Sequence, residues 1–255
     1  SMDHHRILDW ASGHVESVEA MFRAFWEKKP SVLVTKYDHV SGEQVVRLRV
    51  RALPVQDEWT FRIGDTVHSL RVALDYLAYR IVAKYPGGPK AHKVGFPICD
   101  NGPKYAELEG RRIGRAVPCD IKKAIKALQP YHRLHAPYPE PLLLLDELEN
   151  IHKHRRLLSA HPAIVGIQMV GSSTNVRITM SSLPQGPLNQ TTELYRYVVI
   201  DPAAHRENDL QVRVTQHVCF DEAGPACGLP VIPTLKCIRD HLRDVVFPAL
   251  DGYAS

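Results

Sequence analysis

Apolar positions along this chain recur first at helical spacing and later at strand spacing. Over Arg6–Lys28, Ile7, Trp10, Ala11, His14, Val18, Met21, Phe22 and Phe25 return every three or four residues, which predicts an amphipathic helix. Lys28-Lys29-Pro30 supplies a basic end and a stop. VLVTKYD and EQVVRLRVRAL then alternate around HVSG, the pattern of a hairpin. In its second strand Val46, Leu48, Val50 and Ala52 face one way and Arg47, Arg49 and Arg51 the other. Trp59–Lys84 carries the stretch around which the rest is organised, with a helix from Ile63–Asp65 to about Lys84, which Asp65 would cap if its polar residues are structural, and Tyr85-Pro86-Gly87-Gly88-Pro89 as its end.

A Pro/Gly-rich passage through VGFPICDNGP predicts an ordered surface loop, and Tyr105–Leu128 one or two short helices. LQPYHRLHAPYPEP is a proline-stiffened connector. Pro141 stands where a first helical turn tolerates it, and the helix it opens runs to about Leu158. After His161-Pro162 the period becomes two. AIVGIQMV, NVRITMS, ELYRYVVI and LQVRVTQHVCF predict four strands, and Ile232–Leu250 a last helix. The expected fold is α+β: a central antiparallel helix pair with further helices and an antiparallel sheet of about six strands. One domain spans 3–255, with a helical core at 57–160 and a mainly β part with a final helix at 163–250. The pattern leaves open whether the first hairpin joins the later strands.

Composition narrows the classes. At 255 residues, 44% hydrophobic and 24% charged, the chain can bury an adequate core. A net charge of +4 permits an anionic partner without requiring one. Five cysteines, an odd number without a C-x-x-C pair, argue against a disulfide framework and for a reducing compartment. SMDHHRILDW has no apolar signal core, and no stretch approaches the roughly 18 apolar residues of a membrane span. A cytoplasmic location, no membrane partner and no bound cofactor are therefore expected, and an oligomer is compatible with the sequence.

The two central helices carry the candidate chemistry. Asp65, His68, Arg71 and Asp75 follow spacings of three, three and four beside a stripe of Val67, Leu70, Leu74, Leu77 and Ile81. Glu147, Asn150 and His154 are similarly spaced on the second helix beside Leu144, Leu148, Ile151 and Leu158. Antiparallel packing would bring carboxylates, imidazoles and an arginine together at the border of the core. Such groups need partners there, or they neutralise. A purely structural seam, in which Arg71, Asp75, Asn150 and His154 satisfy one another, explains the same pattern.

GDTVHSLRVALDYLAY, FPI at Phe96–Ile98, LQPY at Leu128–Tyr131 and LLLLDELENIHKHRRLL resemble, in that order, the blocks of a family of uncharacterised bacterial and phage proteins. The matching residues are Gly64, Asp65, His68, Leu70, Arg71, Ala73, Leu74, Asp75, Asn150, Lys153, His154 and Arg155. His152 departs, standing where that family has Asp. A looser resemblance is to the HEPN (higher eukaryotes and prokaryotes nucleotide-binding) helical proteins, many of which cleave RNA with an Arg-x(4–6)-His motif. It implies metal-independent RNA cleavage, with histidine as general acid–base and arginine stabilising charge. Arg155 or Arg156 with His161, and Arg62 with His68, fit that spacing, but such pairs arise as often from composition alone.

The expected catalytic set is His68, Arg71, Asp75, Asn150, His154 and Arg155. His68 and His154 would transfer protons, Arg71 would stabilise charge, and RNA or another phosphate-bearing ligand would be the partner. Two other classes compete with RNA cleavage or binding. One is a non-enzymatic binding or assembly module. The other is a metal-binding helical core using Asp65/His68 and Glu149/His152. His217, Cys219, Cys227, Cys237 and His241 cluster near the C-terminus without the tight spacing of a zinc knuckle, so free thiols are expected and no metal is assigned. Arg47, Arg49, Arg51, Arg177, Arg196 and Arg213 would make a basic face if aligned, unless Glu43, Glu193 and Asp209 balance them. Dinucleotide-binding, P-loop, nucleophile-elbow and H-E-x-x-H signatures are absent.

Overall fold

A computed structural model of the chain describes residues 3–54, 56–133, 139–154, 158–170, 175–181, 186–188, 190–201, 211–221 and 224–254. Helix α1 (Asp3–Glu27) leads into the hairpin β1 (Ser31–Asp38) and β2 (Glu43–Val50), then α2 (Gln56–Val82). Short helices α3 (Gly102–Arg112) and α4 (Cys119–Ala127) follow, then α5 (Pro141–His154). Strands β3 (Ala160–Val170), β4 (Val176–Ser181), β5 (Thr192–Val199) and β6 (Gln211–Phe220) precede α6 (Val231–His241) and α7 (Phe247–Ala254). The α+β class stands, with helices as its larger part.

Helix α2 is the axis of the helical core. Ile63, Val67, Leu70, Leu74, Leu77 and Ile81 are all fully buried, and each such side chain is worth about 1.5–3 kcal/mol. Leu8, Ala11, Val15, Val18 and Phe22 of α1 cover one side, and Leu142, Leu145 and Leu148 of α5 another. The helix begins at Gln56, two turns before the start expected at Ile63–Asp65. Asp57 and Glu58 complement its N-terminal dipole, and Trp59 packs on Phe22 and Phe25 of α1, with ring centroids 4.6 and 5.0 Å apart. Asp65 is therefore an exposed residue inside the helix and not its cap.

Among the described residues six strands form, divided between two antiparallel sheets. One has the order β1-β2-β5-β4, so the first hairpin does join later strands; β3 and β6 form the other. Val46 and Leu48 of β2 and Leu194 and Tyr195 of β5 meet Ile164 of β3 in a second apolar cluster between the sheets. The β3–β6 ribbon serves both cores. Ala160, Val218 and Phe220 belong to the helical core, Ile164 and Val214 to the sheet core, and the register shifts between Ile164 and Gly166. Along this one ribbon the buried residues change from the helical core to the sheet core.

The last helical stretch is interrupted as well. Between α6 and α7 the backbone widens into a π turn at Leu242–Val246. Pro248 lacks an N–H and its ring would clash with the carbonyl four residues earlier, so the widened turn accommodates it. Among the described residues no helix is long and apolar enough to cross a membrane.

Candidate functional site

Contacts between α2 and α5 run Gly64 to His152, His68 to Glu149 and Arg71 to Asp146, so the two helices pack antiparallel. They come close at Gly64, where a Cβ would collide with the His152 ring. Glycine here lets an imidazole lie against the backbone of α2.

Arg71 sits at the centre of the seam with 5% of its side chain exposed. Its Nε donates to Asp75 Oδ2 at 3.1 Å, Nη1 to Asp146 Oδ1 at 3.3 Å, and Nη2 to the Phe96 carbonyl at 2.8 Å. The Phe96 N–H in turn donates to Asp75 Oδ1 at 2.9 Å. The Arg71–Asp75 pair thus holds both peptide groups of Phe96. Asn150 Nδ2 donates to Asp146 Oδ2 at 3.1 Å, and Gln129 Nε2 to the Pro97 carbonyl at 2.9 Å. GDTVHSLR, FPI, LQPY and the α5 segment, far apart in sequence, are tied into one network.

One turn away, His68 Nδ1 lies 2.9 Å from Glu149 Oε1. The imidazole is 49% exposed while Glu149 is 5% exposed, so a buried carboxylate orients a half-exposed ring. Lys153 pairs with the same oxygen, and Glu149 Oε2 has no hydrogen-bond partner among the described residues.

The structure thus joins Arg71 to Asp75, and Asn150 to the same Asp146 that Arg71 binds. It places His68 beside Glu149. The side chain of His154 and the whole of Arg155 lie outside the described residues, so the proposed His68–His154 meeting does too. Sequence reasoning missed Asp146 and the pairing of Glu149 with His68. The signal was present: Asp146, Glu149, Asn150 and Lys153 share helical spacing. Glu147, chosen instead, lies beside Gly224.

Next to the seam opens a pocket of about 780 Å³ that shares Asp75 with it. Its walls come from the loop after α2 and the end of α3, and carry Lys90, Lys93, Arg111, Arg112 and Arg115 against the single carboxylate of Asp75. Gly114, with φ of 86° and a would-be Cβ 2.6 Å from Pro89 Cδ, allows the two walls to meet. Arg112 Nη1 donates to the Phe96 carbonyl at 3.3 Å, the same oxygen that Arg71 binds. Burial pulls the Arg112 guanidinium below its ordinary pKa, and the charge of Arg71 adds to that. Arg111 pairs with Glu107 on the surface, whereas Lys90, Lys93 and Arg115 have no ion-pair partner among the described residues.

The other sequence candidates disperse. On the four-stranded sheet Arg196 meets Asp38, Glu43 and Glu193 at 3.1, 3.4 and 2.6 Å, and Arg47 meets Glu193 at 3.2 Å. The face expected to be basic is balanced there by carboxylates, two of them the anticipated Glu43 and Glu193; Asp209 lies outside the described residues. All five cysteines are free, and burial pushes the Cys219 thiol up to about 11. His241 lies 3.7 Å from Glu140 Oε1. Neither the C-terminal His/Cys set nor the Asp65/His68/Glu149/His152 set converges on one point. Among the described residues only His4, His5 and Asp251 do so.

Comparison with family models, with curated proteins and with solved structures found no match.

Proposed function

We propose that this protein binds a phosphate-bearing ligand, with RNA as the leading candidate, in the pocket between the loop after α2 and the end of α3. The observation that carries the reading is the charge imbalance. Five cations line the pocket wall against one carboxylate, and Lys90, Lys93 and Arg115 among them have no ion-pair partner among the described residues. Phosphate binding needs such a surplus, because cation–phosphate contacts release counterions and supply most sequence-independent affinity. In this reading the α2–α5 seam is scaffold. The Arg71 donors are committed to Asp75, Asp146 and the Phe96 carbonyl, which fixes the Phe96 segment and through it the pocket wall. The blocks that resemble the uncharacterised bacterial and phage family are the ones that build this clamp.

Fluorescence anisotropy of labelled single-stranded RNA tests the proposal. Lys93→Glu combined with Arg115→Glu should weaken binding at least tenfold without changing the thermal midpoint. Equal affinity in the two proteins defeats it.

The His68–Glu149 hydrogen bond favours a second reading, HEPN-like RNA cleavage. Glu149 would hold the half-exposed His68 ring as a general acid–base, and His154 and Arg155 would complete the set. Mixed RNA should then be cut equally with and without chelator, and His68→Ala should abolish cutting. Intact RNA after incubation with the unaltered protein removes this reading and leaves ligand binding standing.

A further inference from the structure

Away from the seam and the pocket, one cluster brings three metal-ligating side chains to a point. His4 and His5 lie in the first turn of α1, and Asp251 lies in α7 near the other end of the chain. His4 Nε2 stands 2.9 Å from Asp251 Oδ1, and His5 Nε2 stands 3.0 Å from Oδ2. Both imidazole nitrogens and a carboxylate oxygen lie within 4.8 Å of one another. Successive side chains on a helix diverge by about 100°. Two adjacent rings therefore reach one carboxylate only because α7 presents it in front of the first turn of α1.

The surroundings fix this arrangement. His4 is fully buried, and Phe247 meets both rings edge-on, with centroids 5.5 and 5.4 Å away. On the other side His5 and Asp251 are 38% and 24% exposed, which leaves a path for an ion and room for water ligands. Two imidazoles with one carboxylate suit a borderline transition metal and not the all-oxygen chemistry of calcium or magnesium. At metal–ligand distances of about 2.0–2.1 Å, the edges of a tetrahedral set are about 3.3 Å. The two nitrogen–oxygen distances need to lengthen by only a few tenths of an ångström, and the third edge, no longer than 4.8 Å, closes by turning a ring toward the ion.

We propose that His4, His5 and Asp251 form a binding site for a divalent transition metal, best matched by zinc, that clasps the first helix to the last. Each imidazole coordinates through Nε2 as the neutral base. A proton on that nitrogen moves to Nδ1 or is released to solvent, so binding exchanges protons for the ion. Water fills the remaining positions on the exposed side.

The test uses the full chain without a histidine tag, stripped with chelator and dialysed. Titration with zinc should show one equivalent bound and a raised thermal midpoint. Cobalt(II) should give visible d–d absorption that zinc then displaces. Asp251→Asn, which keeps shape but removes charge, should weaken zinc binding at least tenfold and abolish the zinc-dependent rise in midpoint. His5→Ala, on the exposed side of the cluster, should do the same. Absence of stoichiometric zinc binding by the unaltered chain overturns the proposal. So does undiminished binding by both variants, which would place the ion elsewhere, or a magnesium response equal to that of zinc.

Discussion

The α2–α5 seam and the adjoining pocket use the same residue types in opposite ways. In the seam, Arg71 is nearly sealed from solvent and three of its nitrogens face Asp75, Asp146 and the Phe96 carbonyl. In the pocket, Lys90, Lys93 and Arg115 line an open volume with one carboxylate between them. Asp75 belongs to both, which makes it the hinge of the comparison. A row of ionisable residues on a helix face is therefore a weak sign of a site. The sharper sign is charge that the fold leaves unbalanced around open space.

Removing the seam's cation should have the largest effect. Arg71→Met leaves Asp75 and Asp146 facing an apolar side chain and the Phe96 carbonyl short of a donor. Breaking a fully buried pair on one side costs about 3–5 kcal/mol. Because both carboxylates here are about a third exposed, the loss, measured by urea unfolding, should lie near the lower end of that range. An unfolding free energy unchanged within about 0.5 kcal/mol would mean that the seam is not what holds α2 to α5.

Buried titratable groups elsewhere in the helical core sharpen the same point. Burial, with the nearby charge of Arg133, pushes the His241 imidazole down to about 4. The unfolded chain then binds more protons than the folded one between about pH 6.5 and 4. The neutral ring's contribution is full above 6.5, falls as pH drops through that window, and levels off below it, a loss on the order of 3 kcal/mol. Glu140, 3.7 Å away, has a carboxyl pushed up by burial and so acts with the opposite sign, gaining stability as it protonates. His241→Gln should flatten the acid limb of stability against pH. An unchanged limb would assign acid loss to other groups.

A smaller effect is expected where the helices touch. Gly64→Ala drives a methyl into the His152 ring and should destabilise by about 1–3 kcal/mol. Adding His152→Ala should recover part of the loss, because the two sites are coupled. Additive losses would contradict the close approach. Least of all should stability respond to the pocket. Lys93→Glu with Arg115→Glu should leave unfolding within about 0.5 kcal/mol of the parent, since both residues are exposed.

Much of the scaffold was legible in the sequence, and much of the site was not. The change of apolar period after His161-Pro162 announced the α+β class, and the hairpin was readable from alternation around HVSG. The start of α2 was misread because Gly64-Asp65 has the chemistry of a helix terminus. The glycine is there instead to admit a ring from α5. On α5 the expected stripe of Leu144, Leu148, Ile151 and Leu158 is buried and Asn150 does join the seam, but Asp146 and Glu149 line it in place of Glu147, a choice that Leu142–Leu145, apolar on every side, does not mark. Pairing of Arg196 with Asp38 and Glu43 depends on β5 lying beside β2, a register no local pattern encodes. The pocket was invisible for a related reason. Its cations come from the Gly/Pro-rich loop after α2 and from the end of α3 with the turn after it, and no local periodicity shows that these two segments meet.

The most direct test of the central contrast is the salt dependence of RNA binding. For single strands the slope of log K against log salt is about −0.7 per neutralised phosphate. The unaltered protein should give a slope near −3, and Lys93→Glu/Arg115→Glu should reduce it by at least about 1.4 while affinity falls. Equal slopes and equal affinities for the two proteins would contradict the account and locate any RNA contact outside this pocket.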